Sequence, residues 1–267
     1  MALFGVFGLI VGSFLNVFVL RWGTGRGMGG RSACMSCGYQ LRWYDLVPIF
    51  SWLLLKGRCR SCSSAISFQY PLVELLTALS FAFLGGVPGV PLLIQVLWCI
   101  VASLLLVIAI YDLRHTIIPD TWVYAFCLLA LLSMGPAMTS SMPLHWYLVA
   151  GPLTAFPLFG IWLFSRGTAM GFGDVKLAVG IGYLLGPWFG LGAIMCAFMI
   201  GGLISVPLLV GSSVWWRGMS VRLAQRGLIL PRVSVTMKSE IPFGPFLVLA
   251  TFLLWLLWLY GLSLSFS

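Results

Sequence analysis

The sequence predicts an all-α polytopic membrane protein of about eight transmembrane helices, with one small polar insert near its start. Three observations carry that expectation. Of 267 residues, 61% are hydrophobic and only 8% are charged, against about 25% charged in a soluble domain. Apolar runs of membrane-crossing length recur along the chain. The basic residues fall almost entirely in alternate connecting segments.

Spans are expected near 1–20, 71–90, 92–111, 118–135, 146–165, 176–188, 189–212 and 241–262, because about 20 apolar residues cross a bilayer as a helix. The first run, Met1 to Leu20, has no basic residue before Arg21, so it reads as a retained span and not as a cleaved leader. The stretch Val175 to Ser213 is too long for one crossing and is interrupted at Gly186-Pro187. It is divided into two spans, the first of them short; left undivided, the total is seven. Twelve Trp and eight Tyr are available for the interfacial belts.

Threading eight spans puts segments 21–70, 112–117, 166–175 and 213–240 on one side, and these hold fourteen of the fifteen Lys and Arg. Lys176 is the fifteenth, and the opposite loops near 85–91 and 136–145 hold none. The positive-inside rule makes the basic side cytoplasmic, with both termini outside. The net charge of +9 is then explained by basic loops lying against anionic lipid. No nucleic-acid partner is expected.

The insert, residues 21–70, opens on a glycine-rich link and carries Cys34-Met35-Ser36-Cys37 and Cys59-Arg60-Ser61-Cys62. Two CxxC pairs at this separation fit a tetrahedral four-thiolate zinc site. About fifty residues bury little core, so a metal would supply folding energy. Disulfides are not expected on a cytoplasmic face. Four thiolates leave no open position, so the zinc is structural. Cys99, Cys127 and Cys196 fall within spans as packing residues.

Only six acids are present, and ionisable groups at membrane depth are functional candidates. Asp45 belongs to the insert and is expected to hold its fold. Glu74 starts the second span, and Glu240 precedes the last. Asp120 follows Pro119, so a first-turn anion at a helix N-terminus accounts for it. Asp112 ends the third span in Ile110-Tyr111-Asp112-Leu113-Arg114, and Asp174 lies in Gly171-Phe172-Gly173-Asp174. Both sit at one depth on the cytoplasmic side. Meeting across neighbouring helices, they would share a proton. One could then activate water while the other protonates a leaving amine. His145 falls in an outer loop, His115 reads as a polar interface residue, and no Ser-His-Asp or HExxH set is present.

The ordered motifs resemble bacterial type IV prepilin peptidases, the prepilin leader peptidase/N-methyltransferases. They are Gly12-Ser13-Phe14-Leu15-Asn16-Val17, the four cysteines with Trp43-Tyr44-Asp45-Leu46-Val47-Pro48 between them, and Tyr70-Pro71-Leu72-Val73-Glu74-Leu75-Leu76. Asp112 with Ile118-Pro119-Asp120, the Gly-Phe-Gly-Asp at 171–174, and Ile241-Pro242-Phe243-Gly244-Pro245-Phe246 complete the set. Met35 stands where the family often has Pro, and the link after Arg21 is glycine-rich where the family usually continues Leu-Pro.

The resemblance implies a bacterial cytoplasmic-membrane enzyme that cleaves leaders from type IV prepilins or type II secretion pseudopilins after a glycine. Many members then methylate the new N-terminus with S-adenosylmethionine. It implies Asp112 and Asp174 as the catalytic pair and Cys34, Cys37, Cys59 and Cys62 as zinc ligands. The division is then 1–20 as a first transmembrane helix, 21–70 as the zinc insert and 71–267 as the membrane-embedded aspartyl peptidase core. Spacing locates no site for the methyl donor. A peptidase without methylation, and a transporter using intramembrane carboxylates, are the alternatives; the absence of an internal repeat speaks against the transporter.

Overall fold

A computed structural model describes residues 1–24, 29–138, 144–213 and 242–261. The helices are α1 (Ala2–Arg21), the short α2 (Phe50–Leu54), α3 (Gln69–Leu84), α4 (Leu92–His115), α5 (Asp120–Met138), α6 (Leu144–Ser165), α7 (Phe172–Ser213) and α8 (Gly244–Leu259). A single 3-10 turn at Trp43–Asp45 lies in the insert, and among the described residues there is no strand. Four helical stretches are long and apolar enough to cross a membrane: Ala2–Arg21, Leu92–His115, Leu148–Ser165 and Phe172–Pro207. Gln69–Leu84, Asp120–Ser133 and Gly244–Leu259 are shorter apolar helices.

α1 shows how small residues organise the assembly. Leu3, Val6, Phe7, Ile10 and Phe14 are exposed along one face, as a lipid-facing stripe requires. The opposite face carries Gly8 and Gly12. A Cβ at Gly8 would lie 2.6 Å from the Cα of Ala78, and one at Gly12 would lie 2.8 Å from the Cα of Glu74. The backbones of α1 and α3 therefore touch. Without a hydrophobic drive between helices in lipid, such close approach is what holds them together.

α7 is two antiparallel rods. Eight residues along one helix lie about 12 Å apart, yet a Cβ at Gly190 would lie 3.3 Å from the Cα of Gly182. The chain reverses at Gly186, whose φ of 76° and ψ of 176° are open to glycine alone. This is the break expected at Gly186-Pro187. The first rod packs on α5 and α6, with Gly180 against Phe126 and Gly182 against the Ala150 carbonyl. The second runs antiparallel to α8, bringing Gly192 to Leu254 and Gly201 to Phe246.

α3, the expected second span, ends at Leu84, short of the expected residue 90, because Gly85, Gly86, Pro88 and Gly89 stop it. The expected start of the last span at Ile241, residues 214–240 of the segment expected on the cytoplasmic side, residues 139–143 of the loop expected outside and the glycine link at 25–28 lie outside the described residues. Following the turns, the C-termini of α1, α4 and α6 share one end of the bundle with the N-termini of α3, α5, α7 and α8. Arg114 of α4 confirms the pairing, donating from Nε at 2.9 Å and Nη2 at 2.7 Å to Oε1 of Gln69 on α3. The insert leaves and re-enters at that same end.

Candidate active site and metal centre

Asp112 lies one turn from the C-terminus of α4 and is 4% exposed. Asp174 lies in the first turn of α7 and is 7% exposed. The helices bring both to the same end of the bundle. Three residues knit the surroundings. The N–H of Gly244, at the start of α8, donates to Oδ2 of Asp112 at 3.1 Å. A Cβ at Gly244 would lie 2.6 Å from that oxygen and 3.4 Å from Cδ1 of Ile118. Ile118 in turn covers Gly173, where an added Cβ would lie 3.0 Å from the Ile118 Cβ. Oδ1 of Asp174 is buried with no hydrogen-bond partner among the described residues. Two buried carboxyl groups at one end of the bundle suit general acid–base hydrolysis of an amide.

The other acids and histidines have different surroundings. Asp120 is the first residue of α5 and is exposed; its Oδ1 receives the Lys176 Nζ at 2.7 Å. It ties α5 to α7 beside the pair without entering it. His115 is exposed and stacks on Tyr111 with ring centroids 4.4 Å apart. His145 is exposed near the start of α6, at the opposite end of the bundle. Phe18, Trp22, Tyr111 and Trp122 form an aromatic cluster from α1, α4 and α5, with Trp22 and Trp122 centroids 4.9 Å apart. Nothing in their spacing announced this cluster.

The insert places its four cysteines on two matching knuckles. Antiparallel bridges Ala33–Gln40 and Arg58–Ala65 close each one. The Gly38 N–H bonds the Cys34 carbonyl at 3.0 Å, and the Ser63 N–H bonds the Cys59 carbonyl at 2.9 Å. Gly38 and Ser63, each four residues after the first cysteine, both take positive φ. The four sulfurs all lie within 4.8 Å of one another, and Sγ of Cys34 and Cys62 are 3.8 Å apart. A Zn–S bond of about 2.3 Å in a tetrahedron gives a sulfur–sulfur edge of about 3.8 Å. A disulfide would need about 2.05 Å, so the sulfurs are spaced for a shared ion. Backbone N–H groups of Cys37 and Ser36 draw the Cys34 thiol down to about 6, and Ser64 lowers that of Cys62. Both effects favour the thiolate that a metal needs, whereas burial and the Cys62, Cys34 and Cys59 sulfurs push the Cys37 thiol up to about 11. Cys99 is buried in the core, and Cys127 and Cys196 pack against it.

Asp45 staples the insert. Its Oδ1 accepts from Nε of Arg60 at 2.8 Å, and its Oδ2 accepts from the Arg42 N–H at 3.2 Å. Glu74 ties the insert to the membrane helices: Oε2 accepts from the Ile49 N–H at 2.7 Å. In sequence, Glu74 was only an acid at the start of a span.

Residues 6–86 match the Bacterial Peptidase A24 N-terminal domain, and residues 99–206 match the Type IV leader peptidase family. A prepilin leader peptidase/N-methyltransferase of Pectobacterium carotovorum is 32% identical, over 80% of this chain and 82% of its own length. The chain belongs to the type IV leader peptidase family. A protein of the same description from Pseudomonas aeruginosa is 30% identical, over 95% of this chain and 88% of its own. An Escherichia coli type 4 prepilin-like proteins leader peptide-processing enzyme is 36% identical, over 67% of this chain and 75% of its own. No solved structure matches the chain significantly. Family membership removes the case for a transporter. The first matched segment holds the four cysteines and Glu74, and the second holds Asp112 and Asp174.

Proposed function

We infer that this chain is a bacterial inner-membrane enzyme that removes the leader from type IV prepilins or type II secretion pseudopilins. Cleavage follows a glycine, and the exposed N-terminal amine is then methylated from S-adenosylmethionine. The observation that carries the reading is the burial of Asp112 and Asp174 at the same end of the bundle, with Ile118 against both Gly173 and Gly244. It stands in a chain whose relatives are described as prepilin leader peptidases and N-methyltransferases.

The residues divide the work as follows. One carboxylate of the pair takes a proton from water, and the resulting oxygen nucleophile adds to the scissile carbonyl carbon. The other carboxyl gives its proton to the leaving nitrogen as the C–N bond breaks. Water is thereby added across the peptide bond, with no covalent link to the protein. The Gly244 N–H holds one oxygen of Asp112, which leaves its other oxygen for chemistry. Cys34, Cys37, Cys59 and Cys62 hold zinc as a closed thiolate site that supplies folding energy. S-adenosylmethionine supplies an activated methyl group when bound.

The positive-inside argument puts the insert and the aspartates at the cytoplasmic surface, where the basic leader of a prepilin is presented. Incubating the purified protein with a prepilin and methyl-labelled S-adenosylmethionine tests the reading. Cleavage with label on the mature pilin is expected. Cleavage without label reduces the function to a peptidase, and no cleavage refutes it.

A further inference from the structure

A cavity of about 910 Å³ lies between the insert and the membrane helices. That volume is in the range that encloses a ligand of several hundred daltons. Ser13 and Glu74 contribute from α1 and α3, Trp52 and Arg31 from the insert, and Tyr70 and Arg114 from the ends of α3 and α4. The lining thus joins a carboxylate, guanidinium groups and aromatic rings.

Glu74 is the unusual member. It is 6% exposed, and among the described residues the ion pairs are Arg60–Asp45 and Lys176–Asp120, neither of which includes it. A buried carboxylate held by a backbone N–H and the Ser13 hydroxyl is still costly without a cation. The backbone above it is also strained. Ile49 has φ 61° and ψ −52°, and the Phe50 N–H bonds the Pro48 carbonyl at 2.6 Å. This is a tight three-residue turn that a β-branched residue adopts only at a cost. The strained turn gives its central N–H to Glu74, so insert and carboxylate are fixed against each other at the cavity wall. Strain and an unneutralised buried charge at one cavity point to a ligand site.

We propose that this cavity binds the methyl donor, with Glu74 facing its cationic sulfonium and ammonium groups and the arginines at the rim facing its carboxylate. The assignment rests on the methyltransfer reading above. It also explains the placing of the cavity. Arg114 lines it, and Asp112 lies in the same last turn of α4, so the cavity and the aspartates share one end of the bundle. A donor that carries its own carboxylate for the arginines and an aromatic base for the rings matches the lining better than a basic leader, which has no anion to offer the guanidinium groups.

The test uses the full-length zinc-loaded protein in detergent. Tritiated S-adenosylmethionine is photocrosslinked to it by ultraviolet light, the labelled peptide is mapped, and affinity is measured by equilibrium dialysis. Label is expected within residues 49–74, together with at least a ten-fold weaker affinity in Glu74→Gln at unchanged zinc content. Arg31→Ala, an exposed change, is expected to weaken binding several-fold. Donor binding with label on no peptide that lines the cavity overturns the cavity assignment and leaves methyltransfer standing, whatever the variants do. No donor binding, with no methyl transfer to a prepilin, overturns both.

Discussion

Gly244→Ala separates the chemistry of the aspartates from the stability of the fold. The added Cβ would lie 2.6 Å from Oδ2 and 3.2 Å from Cγ of Asp112. Ordinary contact needs roughly 0.8 Å more than the shorter of these. The atom that must yield is the tip of a side chain, so the fold can absorb the change at about 1 kcal/mol, the low end for overpacking. The same movement displaces the reacting carboxylate and stretches its 3.1 Å hydrogen bond from Gly244. A misplacement near 1 Å costs about a hundred-fold in rate. Leader cleavage should therefore fall by about two orders of magnitude while thermal unfolding in detergent hardly moves. Gly202→Ala is the control, since a Cβ there meets nothing within 4 Å. Cleavage by Gly244→Ala at the rate of the control would refute the placement of Asp112 against α8.

Other consequences follow from the same geometry. Asp120→Asn should keep most of its cleavage activity, because its contact is an exposed ion pair with Lys176, worth about 1 kcal/mol or less; a dead variant would return Asp120 to the active site. Gly8→Ala should destabilise the protein by about 1–3 kcal/mol, because its Cβ would meet backbone of Ala78 that cannot swing aside; an unchanged unfolding midpoint would contradict the α1–α3 packing. The purified protein should carry one equivalent of zinc, and Cys59→Ser, at the buried ligand position, should lower folded yield more than it alters the rate of the folded fraction. Less than half an equivalent of zinc in the unaltered protein would refute the metal centre.

Much of this architecture was legible in the sequence because lipid imposes a strong filter. Apolar runs must pair their own backbone as helices, and the breaks between them show. Gly186-Pro187 marked the reversal in α7, since glycine alone opens the dihedral angles found there. The CxxC pairs foretold two knuckles because the turn that aims two sulfurs at one ion is local. What the sequence left hidden was long-range. Gly244 reaches Asp112 across 132 positions, and only its place in an Ile-Pro-Phe-Gly-Pro-Phe motif singled it out. Glu74 looked like any acid at a span boundary, because its partner Ile49 is set by a strained turn with no composition signature. The aromatic cluster of Phe18, Trp22, Tyr111 and Trp122 is built from three helices, and no single periodicity contains it.

The central claim is that Asp112 and Asp174 act together. It is tested most directly by single-turnover cleavage of a prepilin with Asp112→Asn, Asp174→Asn and the double variant, each checked for zinc content and monodispersity. The account predicts that either single change abolishes cleavage and that the double change costs no more than one alone, since the two carboxyls form one unit. Full cleavage by either folded single variant would contradict it.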